Sequence, residues 1–284
     1  MNYTIKNNIL TVEISSMGAE LMSVKKDGVE YLWQGDPQYW SGRAYNLFPA
    51  CGRMWEGKYI CKGTTYEMKI HGIARYNECK VYEHTDDKIV FILESNEETR
   101  KIYPFDFEFF VEFSLDGNKL TTKYTAINTG ETVMPCTFGG HPGFNVPLDN
   151  GEFDNYYLEF SEECTPTEAF PQGRNLDDIV IKDKKVIELK HSIFDEDSFF
   201  FANVPDTITL KSDKSDRSVT MVYPDFKYLG VWHAPKTDAP FVCIEPWCGS
   251  PAPLGEYSDI DTMKDMYHLS PNESKTVSFD IIIK

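Results

Sequence analysis

Apolar and polar residues alternate along much of this 284-residue chain, and the alternation predicts β-strands. In Leu10-Thr11-Val12-Glu13-Ile14 the apolar side chains fall on one face of an extended segment. Residues 18–33 predict two further strands joined at Asp27-Gly28, a dipeptide that suits the positive φ of tight hairpin turns. The N-terminal part of the chain is therefore predicted to be a β-meander.

The clearest hairpin lies in the middle of the chain. Residues 107–113 and 120–126 both alternate strongly, and Asp116-Gly117-Asn118 supplies a turn between them. Similar patterns predict strands at residues 88–94, 156–160, 185–189, 198–202, 207–210, 218–223, 240–245 and 276–283. Residues 258–266 favour a short helix, and no segment longer than about ten residues has the apolar stripe of an amphipathic helix. Many short strands separated by turn residues predict an all-β fold, built as a large sandwich or barrel.

The domain organisation follows from length and composition. Hydrophobic residues make up 41% of the chain and aromatic residues 14%, which is enough for a large buried core. No composition break, linker or internal repeat interrupts the sequence, so residues 1–284 are predicted to form a single domain. Residues 149–154 and 165–178 are the richest in turn formers and are predicted to be surface loops.

Charge and cysteine usage narrow the class of protein. The formal net charge of −17 argues against binding to nucleic acids or to anionic membranes. The N-terminus lacks a signal pattern and the chain has no run of about 18 apolar residues, so a soluble cytoplasmic protein is expected. The 7 cysteines are scattered without a Cys-x-x-Cys pair, which suggests neither a disulfide framework nor a thiolate zinc site.

The most distinctive stretch is Phe138-Gly139-Gly140-His141-Pro142-Gly143-Phe144-Asn145. Glycine permits positive φ and close backbone approach, and proline restricts the residue before it, so His141 is predicted to lie in a stiff, specially shaped loop. Two interpretations follow from this stretch alone. It is either a structural turn, or a rigid mount for an imidazole that acts as an acid.

Four stretches combine a polar functional residue with Gly, Pro or aromatic neighbours. They contain Arg53, His71, His141 and Glu245. Together these side chains would form a neutral-to-cationic pocket with one carboxylate. Such a pocket suits a polyhydroxylated substrate, because the cationic and imidazole groups donate hydrogen bonds and the carboxylate can take a proton.

At these residues the chain resembles the aldose 1-epimerase (galactose mutarotase) family, and within it the LacX-like branch. The matching motifs occur in the family order from about residue 9 to residue 282 and therefore cover nearly the whole chain. They are Gly18-Ala19-Glu20-Leu21, Phe48-Pro49-x-x-Gly52-Arg53, His71-Gly72, Gly140-His141-Pro142-Gly143-Phe144 and Cys243-Ile244-Glu245-Pro246.

The resemblance implies a large antiparallel β-sandwich and the interconversion of the α and β anomers of an aldose sugar. It implies that Glu245 is the general base on the sugar O1 hydroxyl and that His141 is the acid on the ring oxygen. Arg53 and His71 would orient the substrate. A sugar-contacting aspartate is also implied, and Asp197 is chosen for it over Asp195. Acid–base chemistry of this kind requires no metal or organic cofactor.

Several alternatives stay open at this point. Trp247 is expected either to pack under the site or to bind the sugar ring. A related branch of the family acts on hexose 6-phosphates, for which Arg43, Arg75 and Lys236 are candidate phosphate ligands. A non-catalytic carbohydrate-binding protein is the main rival. Zinc hydrolases, serine hydrolases and glycosidases are disfavoured because their motifs or carboxylate pairs are missing. The chain is expected to be a monomer or a homodimer.

Overall fold

A computed structural model describes residues 1–168, 181–182 and 184–284. Within these residues the chain forms 24 strands. In chain order they are β1 (Asn2–Lys6), β2 (Leu10–Ser15), β3 (Leu21–Lys26), β4 (Val29–Glu30), β5 (Ala44–Leu47), β6 (Lys58–Cys61), β7 (Thr64–Glu67), β8 (Lys80–His84), β9 (Lys88–Glu94), β10 (Phe107–Asp116), β11 (Lys119–Asn128), β12 (Met134–Cys136), β13 (Gly139–Asn145), β14 (Tyr156–Phe160), β15 (Thr167–Glu168), β16 (Ile181–Lys182), β17 (Val186–Glu188), β18 (Phe199–Ala202), β19 (Thr207–Ser212), β20 (Ser215–Val222), β21 (Tyr228–Trp232), β22 (Phe241–Trp247), β23 (Tyr267–Leu269) and β24 (Ser274–Ile283).

Two large antiparallel sheets form the sandwich. The ten-stranded sheet has the order β16-β17-β14-β19-β20-β24-β11-β10-β9-β8, and the six-stranded sheet has the order β15-β18-β21-β22-β13-β5. Strands β1 to β4 make a four-stranded sheet, which an isolated bridge between Leu32 and Phe144 connects to β13. The prediction of an all-β antiparallel sandwich is confirmed.

The hairpin of β10 and β11 is the clearest case of a pattern that specifies its structure. Buried and half-buried residues alternate through both strands, and Asp116 pairs with Lys119 across the turn. The apolar face packs against the six-stranded sheet, where the rings of Phe48 and Phe109 stack 4.3 Å apart. This contact forms the core directly behind the strands that carry the predicted site residues.

Helical structure is sparse in the described part of the chain, and the one predicted helix is wrong. Residues 258–266 form bends and turns, held by a bridge between Ile60 and Asp259. The α-helix that does occur is α1 (Glu97–Ile102), which was not predicted because six largely exposed residues are too few to show an apolar period. It begins with a capping box between Asn96 and Thr99. Short 3₁₀ turns lie at Trp55–Gly57, Ala74–Tyr76, Phe153–Asn155 and His191–Phe194.

The other differences also have physical causes. Strands β5, β13 and β21 were not predicted because residues on both of their faces are buried, so their sequences do not alternate. The predicted loop at residues 149–154 contains turns and exposed residues, as expected. Most of the predicted loop at residues 165–178 lies outside the described residues.

A buried hydrogen bond joins the two large sheets. The Tyr124 hydroxyl donates to Oδ1 of Asn46 over 2.7 Å, and the Asn46 amide donates to the carbonyl oxygens of Gly18 and Ala19. Tyr124 is fully buried and Asn46 is nearly so. This bond fixes β5 against β11 and therefore one edge of the six-stranded sheet.

Replacement of Tyr124 by Phe is expected to lower the free energy of unfolding by about 1–3 kcal/mol, because the Asn46 amide oxygen is left without a partner. The measurement is urea denaturation followed by circular dichroism. Tyr157→Phe is the matched control, since it removes an exposed hydroxyl that donates to Asp213, and its expected cost is about 0.5 kcal/mol or less. Equal costs for the two variants would contradict the proposed importance of the Tyr124–Asn46 bond.

Candidate active site

The predicted site residues meet on one face of the six-stranded sheet. Because side chains alternate along a strand, His141 on β13 shares this face with Gly139 and Gly143. Gly139 pairs with Trp247 and Gly143 pairs with Cys243, so the same register places His141 directly opposite Glu245 on β22. The sheet thus brings together two groups that are far apart in sequence.

The neighbouring strands place one further residue on each side of the His141–Glu245 pair. Tyr45 on β5 is the partner of His141, and Gly230 on β21 is the partner of Glu245. A Cβ atom added at Gly230 would lie 3.1 Å from the Cβ of Glu245. The missing side chain at Gly230 leaves the room that the glutamate occupies.

The prediction that His141 lies in a loop is wrong, because the residue is in the middle of β13. The glycines around it do not adopt positive φ. They instead make space for large rings. Added Cβ atoms would lie 3.0 Å from Trp247 at Gly139, 2.9 Å from Phe279 at Gly140 and 3.0 Å from Trp40 at Gly143. The glycines therefore allow His141 to sit in a closely packed aromatic setting.

A cavity of about 640 Å³ opens above this face. All six residues predicted for the site line it, namely Arg53, His71, His141, Asp197, Glu245 and Trp247. The weaker aspartate candidate, Asp195, does not line the cavity. Among the three cations considered for a phosphate, Arg75 lines the cavity, whereas Arg43 and Lys236 do not.

His141 and Glu245 form a close, buried pair. Nε2 of His141 lies 3.3 Å from Oε2 of Glu245, and the two side chains are 10% and 3% exposed. Burial lowers the pKa of His141 to about 3, since removal from water disfavours the imidazolium. Burial also raises the pKa of Glu245 well above its usual value, and the negative charge of Asp197 adds to this rise. Both shifts favour the uncharged forms of the two side chains.

His71 is a buried neutral imidazole beside this pair. Its ring centroid lies 5.2 Å from that of His141 and 5.5 Å from the nearer ring of Trp247. Its Nδ1 accepts the Gly52 backbone N–H over 3.2 Å, so the ring proton is on Nε2. Burial, with a smaller contribution from His141, lowers the pKa of His71 well below its usual value. His71 is thus a neutral hydrogen-bond donor.

The remaining predicted residues differ in their exposure. Arg53 and Asp197 are exposed, so both lie at the open side of the cavity. Trp247 is 7% exposed, and its indole Nε1 has no hydrogen-bond partner that meets ordinary geometric limits. The indole nevertheless acts to lower the pKa of Glu245, against the larger effect of burial.

Further aromatic residues of the site were not predicted from the sequence. Trp40 lies with its ring 5.0 Å from that of His141, and Tyr45 lies 6.0 Å from it. The Arg75 guanidinium lies 3.3 Å above the Tyr45 ring, a cation–π contact. Trp40 had no sequence signal, because it lies outside any strand. Tyr45 was missed together with β5, whose sequence does not alternate.

The segment that carries Asp197 is fixed by a pair of histidines. His191 is half-buried, with Nδ1 2.9 Å from Nε2 of the fully buried His233. The His191 ring also stacks 4.0 Å from Phe153. These contacts hold the 3₁₀ turn that precedes Asp197 against the end of β21.

Together, the fold and the site define an antiparallel β-sandwich protein with a buried histidine–glutamate pair at the base of an aromatic-lined cavity. The family model of aldose 1-epimerase matches residues 1–279 of the chain. The chromosomal LacX protein of Lactococcus lactis subsp. lactis is 33% identical over 298 aligned positions, covering 100% of this chain and 99% of LacX.

Solved structures agree with these matches. The galactose mutarotase related enzyme from Lactobacillus acidophilus is 33% identical, has a TM-score of 0.90, and is matched over 97% of its length and 100% of this chain. A galactose mutarotase-like protein from Lactobacillus casei ATCC 334 is 31% identical, with a TM-score of 0.92 and complete coverage of both chains. The chain belongs to the aldose 1-epimerase family.

The sequence analysis argued against binding to membranes, and one structural observation bears on membranes. Across the described residues, the structure contains no helix with the length and apolar character needed to cross a bilayer.

Proposed function

We propose that this protein is an aldose 1-epimerase, which interconverts the α and β anomers of an aldose sugar. The observation that carries the proposal is the His141–Glu245 pair, whose reactive atoms lie 3.3 Å apart and line the cavity. Mutarotation needs an acid and a base near the same anomeric centre. Membership in the aldose 1-epimerase family supports the same reaction class.

In the proposed reaction, Glu245 takes the proton from the sugar O1 hydroxyl while His141 protonates the ring oxygen. The C1–O5 bond breaks and O1 becomes the aldehyde oxygen. The aldehyde end then rotates about C1–C2, and closure on the other face uses the same two groups in reversed roles. No atoms are gained or lost, so the reaction needs only the acid–base groups of the chain.

The charge state of the pair fits these roles. In this proposal the uncharged pair shares one proton, and moving that proton from the carboxyl group to the imidazole creates both the base and the acid without exchange with solvent. Sugar hydroxyl groups that donate to the carboxylate would stabilise this charged form in the otherwise apolar setting. Substrate binding would therefore help to generate the catalytic form.

The surrounding residues supply binding and orientation in this proposal. His71 would donate from Nε2, and Arg53 would donate to sugar oxygens. Asp197 would accept from sugar hydroxyl groups at the exposed side of the cavity. The unpartnered indole N–H of Trp247 would donate to a sugar oxygen, while its ring covers the pyranose.

The direct experiment is anomeric NMR or polarimetry on freshly dissolved α-glucose and α-galactose. We expect the protein to accelerate equilibration of at least one of them. Unchanged rates, combined with saturable binding of either sugar, would instead support a non-catalytic carbohydrate-binding protein.

A parallel measurement with α-glucose 6-phosphate tests the phosphosugar alternative. Arg75 is the candidate that favours it, because its guanidinium lines the cavity beside Arg53. A clear preference for the phosphorylated sugar, lost in Arg75→Gln, would support that substrate class. Equal rates for both sugars would argue against it.

The pH dependence of kcat/KM is expected to show a plateau that extends well below pH 6.5. Activity falls on the acid side when the pair gains a second proton. The pair gains that second proton only at low pH, because burial lowers the pKa of His141 to about 3. On the alkaline side the pair loses its single proton, at a pKa raised by the burial of Glu245. An acid limb centred near the ordinary histidine pKa of about 6.5 would contradict this assignment.

A further inference from the structure

Cys243 is a fully buried residue next to the proposed acid–base pair, but it has no part in the proposed reaction. It precedes Glu245 by two residues on β22, so the two side chains share a face. One nitrogen of His141, the Cys243 sulfur and one oxygen of Glu245 all lie within 4.8 Å of one another. All three residues are buried. In the described part of the chain, no other set of three His, Cys, Asp or Glu residues meets in this way.

These three atoms are suited to a thiophilic divalent cation. Imidazole nitrogen, thiolate sulfur and carboxylate oxygen are the ordinary protein ligands of Zn²⁺, and bonds of about 2.0–2.3 Å place neighbouring ligand atoms of a tetrahedron about 3.3–3.6 Å apart. Nε2 of His141 and Oε2 of Glu245 already have such a separation, 3.3 Å. Mg²⁺ and Ca²⁺ prefer oxygen ligands and larger coordination numbers, so the set disfavours them.

Two other observations point to the same place. Nε2 of His141 and Oε2 of Glu245 lie in the wall of the cavity, so a cation held between them can be reached from it. Gly143 faces Cys243 across the strand pair, and a Cβ atom there would lie 3.3 Å from the Cys243 sulfur. The glycine therefore leaves the thiol open toward the strand that carries His141.

We propose that His141, Cys243 and Glu245 form an inhibitory binding site for Zn²⁺ or a similar thiophilic cation. The metal takes three ligands from the chain and keeps its fourth position toward the cavity. On binding, the Cys243 thiol becomes a thiolate and Glu245 ligates as a carboxylate, so the thiol proton and any proton that the His141–Glu245 pair holds both pass to water. The metal also occupies the imidazole and carboxylate lone pairs that would take up protons from a sugar. Metal binding does not depend on the proposed function, whereas inhibition of mutarotation by the metal rests on that function.

Spacing in the sequence could not reveal such a site. Cys243 and Glu245 are two residues apart, but His141 comes from a different strand, so no metal-binding motif appears along the chain. The chain does lack a Cys-x-x-Cys pair, but this absence argues only against metal sites with several thiolate ligands.

The test is a titration of the full-length protein after treatment with EDTA and desalting. Isothermal titration calorimetry with Zn²⁺ is expected to detect one site, and Co²⁺ is expected to produce the near-ultraviolet absorption of a thiolate–cobalt bond. Cys243→Ser and Cys243→Ala should each weaken Zn²⁺ binding by about tenfold or more and abolish that absorption. The two variants are used together because serine buries a hydroxyl group at this position, whereas alanine leaves a small void.

The control is Cys164→Ser, because Cys164 is the most accessible thiol in the chain. Its Zn²⁺ affinity should equal that of the unmodified protein, and Mg²⁺ should give no binding. The proposal is overturned if the Cys243 variants bind Zn²⁺ normally, if Cys164→Ser abolishes binding, or if Mg²⁺ binds as well as Zn²⁺.

An activity measurement separates this proposal from the proposed function. Zn²⁺ should slow mutarotation by the unmodified protein, and EDTA should restore the rate. In Cys243→Ala, the fraction of that variant's own metal-free rate that Zn²⁺ removes should be smaller. If the protein binds Zn²⁺ through Cys243 but does not accelerate mutarotation, the metal site stands and the proposed function fails. If the protein accelerates mutarotation but the Cys243 variants bind Zn²⁺ normally, the proposed function stands and the proposed metal site fails.

Discussion

Replacement of Glu245 by Gln is expected to lower kcat/KM for mutarotation by about 10²–10⁴-fold. Glutamine keeps the shape of the side chain but cannot take a proton from O1. Folding should change little, because Glu245 is 3% exposed and burial already favours its neutral form. The measurement is the rate of anomeric equilibration followed by NMR, with the thermal unfolding midpoint as a check on folding.

His141→Asn is expected to cause a loss of similar size, because asparagine cannot protonate the ring oxygen. The double variant should be only slightly worse than either single variant, since the acid and base act as a unit. Glu159→Gln is the control. Glu159 is a carboxylate on β14 that forms an ion pair with Lys185, away from the cavity. Activity near that of the unmodified protein in Glu245→Gln or His141→Asn would rule out the proposed acid–base pair.

Replacement of Gly72 by Ala is expected to lower the free energy of unfolding by about 3 kcal/mol or more. Gly72 has φ +79°, and an added Cβ atom would lie only 2.2 Å from the Phe48 carbonyl oxygen. That oxygen cannot move freely, because it accepts the Ile73 N–H over 2.7 Å. The cost combines the strain of positive φ with a collision between two backbone segments. The measurement is urea denaturation.

Gly63→Ala separates these two contributions. Gly63 has φ +77°, nearly the same conformation, but nothing lies within 4 Å of an added Cβ atom. Its expected cost is therefore the conformational strain alone, about 1–2 kcal/mol. Similar losses for Gly72→Ala and Gly63→Ala would show that the contact with Phe48 is unimportant. Because His71 precedes Gly72, loss of sugar binding should accompany the larger destabilisation.

The sequence predicted the fold best where one face of a strand is buried and the other is partly exposed. The hairpin of β10 and β11 is of this kind, and its limits differ from the prediction by only a few residues. Strand β21, Tyr228-Leu229-Gly230-Val231-Trp232, was missed because its neighbours bury both faces. The period-2 signal depends on contact with water, so it disappears in the strands at the centre of the molecule.

The candidate site was predicted differently, through motifs and a family resemblance. Those motifs identified residues that line one cavity, but the loop predicted around His141 is a strand. Gly and Pro usually indicate a turn, whereas here Gly139 and Gly143 make room for the rings of Trp247 and Trp40. That role depends on neighbours that are distant in sequence, so only the folded chain reveals it. Asp197, which was chosen over Asp195 from the sequence, is the one of the two that lines the cavity.

The position of His141 and Glu245 in the sheet has an evolutionary consequence. The two residues lie on adjacent inner strands, whereas Arg53, Pro235 and Leu254 reach the cavity from connections between strands. Insertions and substitutions are tolerated far better in connections than within paired strands, where a shift of one residue turns every side chain to the opposite face. Remodelled connections would therefore change the rim of the cavity in descendants of this chain, while the His141–Glu245 pair at its base stays in place.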